Sequence, residues 1–205
     1  MVDNPGEDKV YISPQQLLED SYRLGKQILE SGYNPNFLVG LWRGGTPVGI
    51  AVQEYLAYQG LKNDHISIRT SRDGPNGAIA KTRVHGLEYL ISHSNAENRL
   101  LLVDDVYDTG LTIQAVIEVL TRKMRRNLPQ IHVATIYYKP TKNVTPRKPD
   151  FYLYETDKWL VFPHELKDLN EEEILAGKGQ VIYELLKRTD QPPQPPTSHH
   201  APHSL

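Results

Sequence analysis

An apolar run that ends in two acids constrains this chain more than any other feature. Leu100-Leu101-Leu102-Val103 is followed by Asp104 and Asp105, and a short loop then leads into a segment of helical periodicity. A wholly apolar run bounded by polar residues is typical of a strand buried on both faces, as in a parallel sheet. The order strand, loop and helix predicts an α/β unit whose polar residues lie at the carboxyl end of its strand.

The same alternation recurs along the chain. Ser13 followed by Pro14 predicts the start of a helix that ends near Gly32. Further helical patterns and apolar runs alternate after it, with helices expected at 46–56 and 109–127 and strands at 37–41, 66–69, 100–103, 131–138 and 150–155. Such alternation predicts an α/β fold with a mainly parallel sheet flanked by helices on both faces.

The length of 205 residues and the composition predict a single domain with additional terminal segments. We expect a flexible N-terminus over 1–9, a domain over 10–189, and a disordered Pro- and His-rich tail over 190–205, which has almost nothing apolar to bury. The polar, glycine-containing segment at about 70–86 predicts a long mobile loop that serves as a lid. A segment with helical periodicity at 171–188 is interrupted at 177–179, and the sequence assigns it no function.

Charge and cysteine content exclude several classes of protein. The chain has no cysteine, so disulfides, thiolate zinc sites and cysteine nucleophiles are excluded. A net charge of −2 argues against a globally basic nucleic-acid binder, although Arg122-Lys123-Met124-Arg125-Arg126 forms one dense basic run. No run is long and apolar enough for a membrane span, and the polar N-terminus does not resemble a secretory signal. We therefore expect no membrane, no nucleic acid and a cytoplasmic location.

The loop after the acids has the features of a phosphate site. The N-terminus of a helix offers free N–H groups and a partial positive charge, which suit a bound phosphate. Gly110 allows close approach of the backbone, and Thr109 and Thr112 add hydroxyl donors. Carboxylates beside such a site are reasonable where the ligand also carries hydroxyls or a magnesium ion. These features predict a site for a phosphorylated, hydroxylated ligand.

Residues 101–112 resemble the phosphoribosyl-pyrophosphate signature of the type I phosphoribosyltransferases, which is apolar residues, two acids, two apolar residues and Asp-Thr-Gly-x-Thr. The resemblance implies that Asp104 and Asp105 contact the ribose hydroxyls, directly or through Mg²⁺. It also implies that the 5′-phosphate is held by Asp108, Thr109, Gly110, Leu111 and Thr112. In the purine-specific branch, Asp108 would lie near the purine N7 as the candidate catalytic base.

Two further segments resemble the purine enzymes of that family. The Arg43-Gly44-Gly45 sequence is similar to the pyrophosphate-binding loop of xanthine–guanine phosphoribosyltransferases, so Arg43 and Gly44 are expected at the pyrophosphate. Lys139-Pro140 and the segment 157–165 resemble the purine-recognition region. The likeness implies that Lys139 meets the purine 6-oxygen, Trp159 stacks on the ring and Leu160 offers backbone groups. Glu165 would be a third metal ligand beside Asp104 and Asp105, and His164 is assigned no role.

The resemblance implies a type I phosphoribosyltransferase-like fold with a small base-binding hood. The implied activity is the Mg²⁺-dependent transfer of 5-phosphoribosyl from phosphoribosyl pyrophosphate to hypoxanthine, guanine or xanthine in purine salvage, by a homo-oligomer (dimer or tetramer). Two alternatives remain open. One is a non-catalytic nucleotide-sensing regulator on the same fold, and the other is a pyrimidine phosphoribosyltransferase, which Lys139 and Trp159 disfavour.

Overall fold

A six-stranded sheet organises the residues that the computed structural model describes, 9–73 and 81–187. Its strands lie in the order β4-β3-β2-β5-β6-β7, and every neighbouring pair is parallel except β3 and β4. A separate pair, β1 and β8, is also parallel. The bounds are β1 Lys9–Tyr11, β2 Phe37–Trp42, β3 Asp64–Asp73, β4 Lys81–His85, β5 Arg99–Tyr107, β6 Gln130–Tyr138, β7 Phe151–Glu155 and β8 Trp159–Val161. The mainly parallel sheet confirms the predicted class.

Helices cover both faces of the large sheet, as predicted. One apolar cluster joins α1 and α2 to sheet residues such as Leu38 and Leu101, and the other joins α3 and α4 to residues such as Val39 and Leu102. Successive strand residues face opposite clusters because side chains alternate along a strand. The helices are α1 Pro14–Glu30, α2 Gly45–Tyr58, α3 Glu88–His93 and α4 Leu111–Met124, followed by a 3₁₀ turn at Arg125–Asn127.

Local signals explain where the first helix begins and where the fourth does. The Ser13 hydroxyl accepts a hydrogen bond from the Gln16 amide at 3.0 Å, which caps α1 as the sequence predicts. The fourth helix begins at Leu111 rather than Thr109, because Gly110 has a φ of 78° and so cannot be part of the helix.

The chain divides into two compact units, Met1–His164 and Glu165–Leu205. The second unit holds α5 Glu171–Lys178 and α6 Gln180–Leu186, with Gly179 between them at the predicted interruption. The predicted tail at 190–205 and residues 1–8 of the predicted flexible N-terminus lie outside the described residues, whereas Lys9 lies in β1. Among the described residues, no helix has the length and apolar character to cross a membrane.

Two expectations about strands are corrected. The strand predicted at 100–103 continues to Tyr107, because its pairing with β6 continues to the register Tyr107↔Tyr138. The segment 70–86 is not a loop throughout. Residues 70–73 pair with 81–84 as antiparallel strands, so the expected lid is a hairpin at its base, and residues 74–80 lie outside the described part. A polar, glycine-containing composition indicates a loop but does not exclude paired strands.

Candidate active site

The acid pair lies within strand β5, beside the loop that follows strand β2. The Asp105 carboxylate is 7% exposed and accepts a hydrogen bond from the Val106 amide at 2.8 Å. Asp104 accepts one from the Asp105 amide at 3.0 Å, and the Gly45 amide also donates to it. Desolvation, together with the neighbouring charge of Asp105, raises the pKa of Asp104 well above its ordinary value. The pair is therefore costly to keep fully ionised without a compensating positive charge.

The glycines of the Arg43-Gly44-Gly45 loop are required by close contact with this pair. A Cβ on Gly44 would lie 1.9 Å from Asp105 Oδ2, and one on Gly45 would lie 2.2 Å from the Val103 carbonyl oxygen. A side chain at Gly44 would force the loop or the Asp105 carboxylate to move, and one at Gly45 would meet the backbone of the acid-bearing strand. The peptide between Trp42 and Arg43 is cis, and the Arg43 side chain is exposed. The expected pyrophosphate loop thus contacts the expected ribose-binding acids directly.

The segment 108–112, called here the phosphate loop, borders a cavity of about 250 Å³. The cavity is lined by residues 104–110, Thr112 and Ile113, so the acid pair and the phosphate loop share it. Asp108 Oδ1 is buried and has no hydrogen-bond partner among the described residues. A buried acceptor without a hydrogen-bond partner in the protein is expected to form its hydrogen bond with a ligand.

The expected base-recognition residues lie on two separate parts of the chain, one directly after strand β6 and one on strand β8. Lys139 directly follows β6, is 7% exposed, and its amide donates to the Tyr107 carbonyl at 2.9 Å. Trp159 and Leu160 lie on β8, where Leu160 is buried and Trp159 is half-buried with the Lys9 ammonium 5.7 Å from its ring centre. Phe162 attaches this segment to β6 by an edge-to-face contact with Tyr137 at 5.9 Å. The β1–β8 pair is the structure that matches the expected hood.

The structure adds one residue, His164, for which the sequence indicates no role. His164 Nε2 lies 3.5 Å from Asp105 Oδ2, and its ring stacks on Phe162 with centroids 5.7 Å apart. In the sequence, His164 is marked only by its position after an apolar run. Such a position does not show whether the side chain contacts another residue or is solvated. Glu165, by contrast, belongs to the second unit, so its role as a metal ligand stays a prediction.

The donor set at the acid pair suits Mg²⁺ bound together with a ligand. The described residues contain no group of three or more His, Asp or Glu side chains placed to hold a metal by themselves. Magnesium is commonly held by one or two carboxylates, with phosphates of the substrate and water completing its shell. Asp104 and Asp105 offer two carboxylates on the wall of a cavity next to the phosphate loop, and burial makes a cation favourable there.

Comparisons with known proteins find similar sequences. A family profile described as phosphoribosyl transferase domain matches residues 12–170. The chain is 22% identical over 146 residues to the hypoxanthine-guanine phosphoribosyltransferase of Lactococcus lactis subsp. lactis (strain IL1403), which covers 70% of this chain and 74% of that protein. It is 30% identical over 90 residues to the enzyme of the same name from Cricetulus griseus, covering 41% of this chain and 40% of that protein.

Solved structures show the same relationship. The crystal structure of a purine phosphoribosyltransferase from Pyrococcus horikoshii Ot3 is similar with a TM-score of 0.63 and 26% sequence identity. The match covers 79% of this chain and 97% of that chain. The α/β architecture with its mostly parallel sheet is therefore one that solved purine enzymes also have.

Proposed function

The chain belongs to the phosphoribosyl transferase domain family, and from that premise we propose that it is a purine phosphoribosyltransferase that acts on a 6-oxopurine. In the proposed reaction, the bond between ribose C1 and the pyrophosphate oxygen breaks. A bond forms between C1 and one nitrogen of the purine imidazole ring, and that ring loses one proton. The products are a nucleoside monophosphate and pyrophosphate, as purine salvage requires.

The observation that supports this best is the convergence of three expected subsites on one sheet edge. The acid pair, the Arg43-Gly44 loop and the phosphate loop are contributed by the neighbouring strands β2 and β5. The phosphate loop, the acid pair and the Arg43-Gly44 loop suit, respectively, the 5′-phosphate, the ribose hydroxyls and the pyrophosphate group of one molecule. Backbone donors at the N-terminus of α4 suit the phosphate, and a guanidinium suits the pyrophosphate.

Asp108 is proposed as the group that handles the purine proton. Its buried Oδ1 lacks a partner among the described residues and lies on the cavity shared with the acid pair. A carboxylate in that position accepts the proton that the purine ring loses and passes it to solvent, which is general base catalysis. The pyrophosphate needs charge stabilisation as it leaves, and Arg43 supplies part of it.

Mg²⁺ is proposed as the cofactor, held by Asp104 and Asp105. Bound there, the ion would supply positive charge to the pyrophosphate and the ribose oxygens. Asp104 and Asp105 orient these oxygens and are relieved of mutual repulsion. Glu165 is proposed as a further ligand on the family likeness alone.

A purine is favoured over a pyrimidine by the base-recognition residues. Lys139 is buried at the end of β6, and its ammonium suits the 6-oxygen of an oxopurine. Trp159 supplies an indole for stacking, and Leu160 supplies backbone groups for the edge of the base. Backbone groups would contact the edge of the base by which hypoxanthine, guanine and xanthine differ. The side chains here therefore do not indicate which of the three bases is preferred. The homo-oligomer and the cytoplasmic location stay predictions.

The test is a pyrophosphate-release assay on the full chain with phosphoribosyl pyrophosphate, Mg²⁺ and a panel of free bases. We expect turnover with at least one of hypoxanthine, guanine and xanthine and none with uracil or orotate. Turnover with a pyrimidine alone would establish the pyrimidine enzyme. Binding of phosphoribosyl pyrophosphate without turnover on any base would establish the regulator instead.

A further inference from the structure

The segment 139–150, called here the strap, is fixed to the sheet at both of its ends. At its start, the Lys139 amide donates to the Tyr107 carbonyl at 2.9 Å. At its end, the Asp150 amide donates to the Val133 carbonyl at 2.9 Å, and Asp150 Oδ2 accepts from the Val133 amide at 2.8 Å. Arg147 also donates to Asp150 at 2.7 Å and to the Ile131 carbonyl at 2.8 Å. The strap has no regular secondary structure, but hydrogen bonds hold both of its ends to the sheet.

The middle of the strap contacts the phosphate loop at Thr109 and Gly110. The Val144 amide donates to the Thr109 carbonyl at 3.1 Å. A Cβ on Gly110 would lie 2.5 Å from Thr145 Oγ1 and 2.8 Å from the Tyr107 hydroxyl. Thr145 is not among the residues that line the cavity. The backbone turn at Gly110 therefore packs directly against the hydroxyls of Thr145 and Tyr107.

The two hydroxyls belong to a dense hydrogen-bond network. Tyr107 Oη lies 3.1 Å from Thr145 Oγ1 and donates to the Arg147 carbonyl at 3.0 Å. Thr145 Oγ1 donates to Asn143 Oδ1 at 2.9 Å, and Asn143 Nδ2 donates to the same Arg147 carbonyl at 2.9 Å. Tyr107 is 2% exposed, so its hydroxyl depends on these protein partners for its hydrogen bonds. Partly buried networks of this kind fix geometry because each unmet partner is costly.

We propose that Thr145 and Tyr107 are positioning residues for the 5′-phosphate: their hydroxyl pair holds the turn at Gly110 so that the donors of the phosphate loop converge on the phosphate. The pair acts through the backbone of Thr109 and Gly110. This inference rests on the proposed function, from which it takes the identity of the bound group. It goes beyond that function by assigning a role to the strap, which follows the base-recognition lysine in sequence.

The test compares three variants by titration calorimetry of the full chain. Thr145→Val keeps the shape and removes the hydroxyl, whereas Thr145→Ser keeps the hydroxyl. Thr121→Val is the matched control, because that hydroxyl bonds only locally to the Ile117 carbonyl on α4 among the contacts described. The probes are ribose 5-phosphate, which has the phosphate but no leaving group, and pyrophosphate with Mg²⁺, which is expected at the Arg43 loop.

We expect Thr145→Val to weaken ribose 5-phosphate binding about tenfold, the scale of one lost buried hydrogen bond. Pyrophosphate affinity stays within about twofold, and Thr145→Ser and Thr121→Val stay near wild type. In steady-state assays, KM for phosphoribosyl pyrophosphate rises and kcat changes little, since the chemical step does not use the pair. A merely structural role would instead weaken both probes, or neither.

Unchanged ribose 5-phosphate binding in Thr145→Val overturns the proposal and leaves the transferase function standing. A wild-type chain that binds ribose 5-phosphate but transfers to no base removes the transferase function and leaves the positioning role testable by the same titrations. If Thr145→Val does not fold, Tyr107→Phe decides, because it removes the other hydroxyl and keeps the ring; equal affinity for wild type and Tyr107→Phe then overturns the proposal. A wild-type chain that binds no ribose 5-phosphate overturns both the phosphate site and the positioning role.

Discussion

The phosphate half and the base half of the proposed site are built in different ways. The phosphate half is one continuous segment, 104–112, at the end of a central strand of the large sheet. The base half combines Lys139 after β6 with Trp159 and Leu160 on β8, which pairs with β1 in a sheet of its own. One half is therefore local in sequence, and the other depends on contacts between distant segments. Their functions should fail separately when each is mutated.

The largest effect is expected at Asp108, in the phosphate half. Asp108→Asn keeps the shape of the loop but removes the proton acceptor, so kcat should fall roughly 10²–10⁴-fold. Affinity for ribose 5-phosphate should change much less, because the donors of Thr109 to Thr112 remain. Steady-state kinetics and calorimetry measure the two quantities.

The control for Asp108 is Asp64→Asn, at the amino end of β3 and so at the opposite edge of the sheet. It should leave kcat near wild type. Near-normal turnover in Asp108→Asn would show that Asp108 is a structural residue and not the base.

The next largest effect is expected where the pyrophosphate loop meets the acid pair. Gly44→Ala places a Cβ 1.9 Å from Asp105 Oδ2, so the loop or the carboxylate must move. Displacements of about 1 Å at such sites cost on the order of 10²-fold, and we expect that loss in kcat/KM for phosphoribosyl pyrophosphate. Gly49→Ala on α2 is the matched control, because its Cβ would meet its nearest neighbour at an ordinary 3.4 Å. If Gly44→Ala and Gly49→Ala had equal kinetics, the close packing of Gly44 against Asp105 would be refuted.

The same contrast explains what the sequence could predict. Strand β5, the phosphate loop and the cap of α1 at Ser13 depend on neighbours in sequence, so their residue patterns were informative. The pairing Lys9↔Trp159 and the hairpin of β3 with β4 depend on partners that no local pattern reveals. The short strand β1 and the six-residue helix α3 are too brief for a clear periodicity. The contact of His164 with Asp105 was missed for the same reason, because it joins residues that are far apart in sequence.

A smaller effect, confined to the base, is expected from Lys139. Lys139→Met removes the ammonium but keeps the aliphatic stem and the amide that donates to Tyr107. Loss of a charged hydrogen bond to the base should raise KM for the purine roughly 10–100-fold. KM for phosphoribosyl pyrophosphate should stay within about threefold. Lys148→Met, at an exposed position of the strap, is the control. If both KM values rise together, the two halves are not separate.

The smallest effect is on stability, and it tests the electrostatic cost of the acid pair. Desolvation and the charge of Asp105 raise the pKa of Asp104, so the native chain binds that proton more tightly than the unfolded chain does. Wild type therefore loses stability as the pH rises from the ordinary carboxyl pKa through the raised one. Asp104→Asn has no proton to lose, so its advantage should grow across that window and stay constant above it.

At neutral pH and in the presence of a chelator, Asp104→Asn should be more stable than wild type by on the order of 1 kcal/mol, or about 2–4 °C in Tm. Thermal unfolding followed by circular dichroism at several pH values measures this gain. Phosphoribosyl pyrophosphate with Mg²⁺ should stabilise wild type and have less effect on the variant, because a cation bound at the pair relieves the same repulsion. A variant that is no more stable than wild type at any pH would show that the carboxylates of the phosphate half carry no electrostatic cost, and that their placement needs no cation to compensate it.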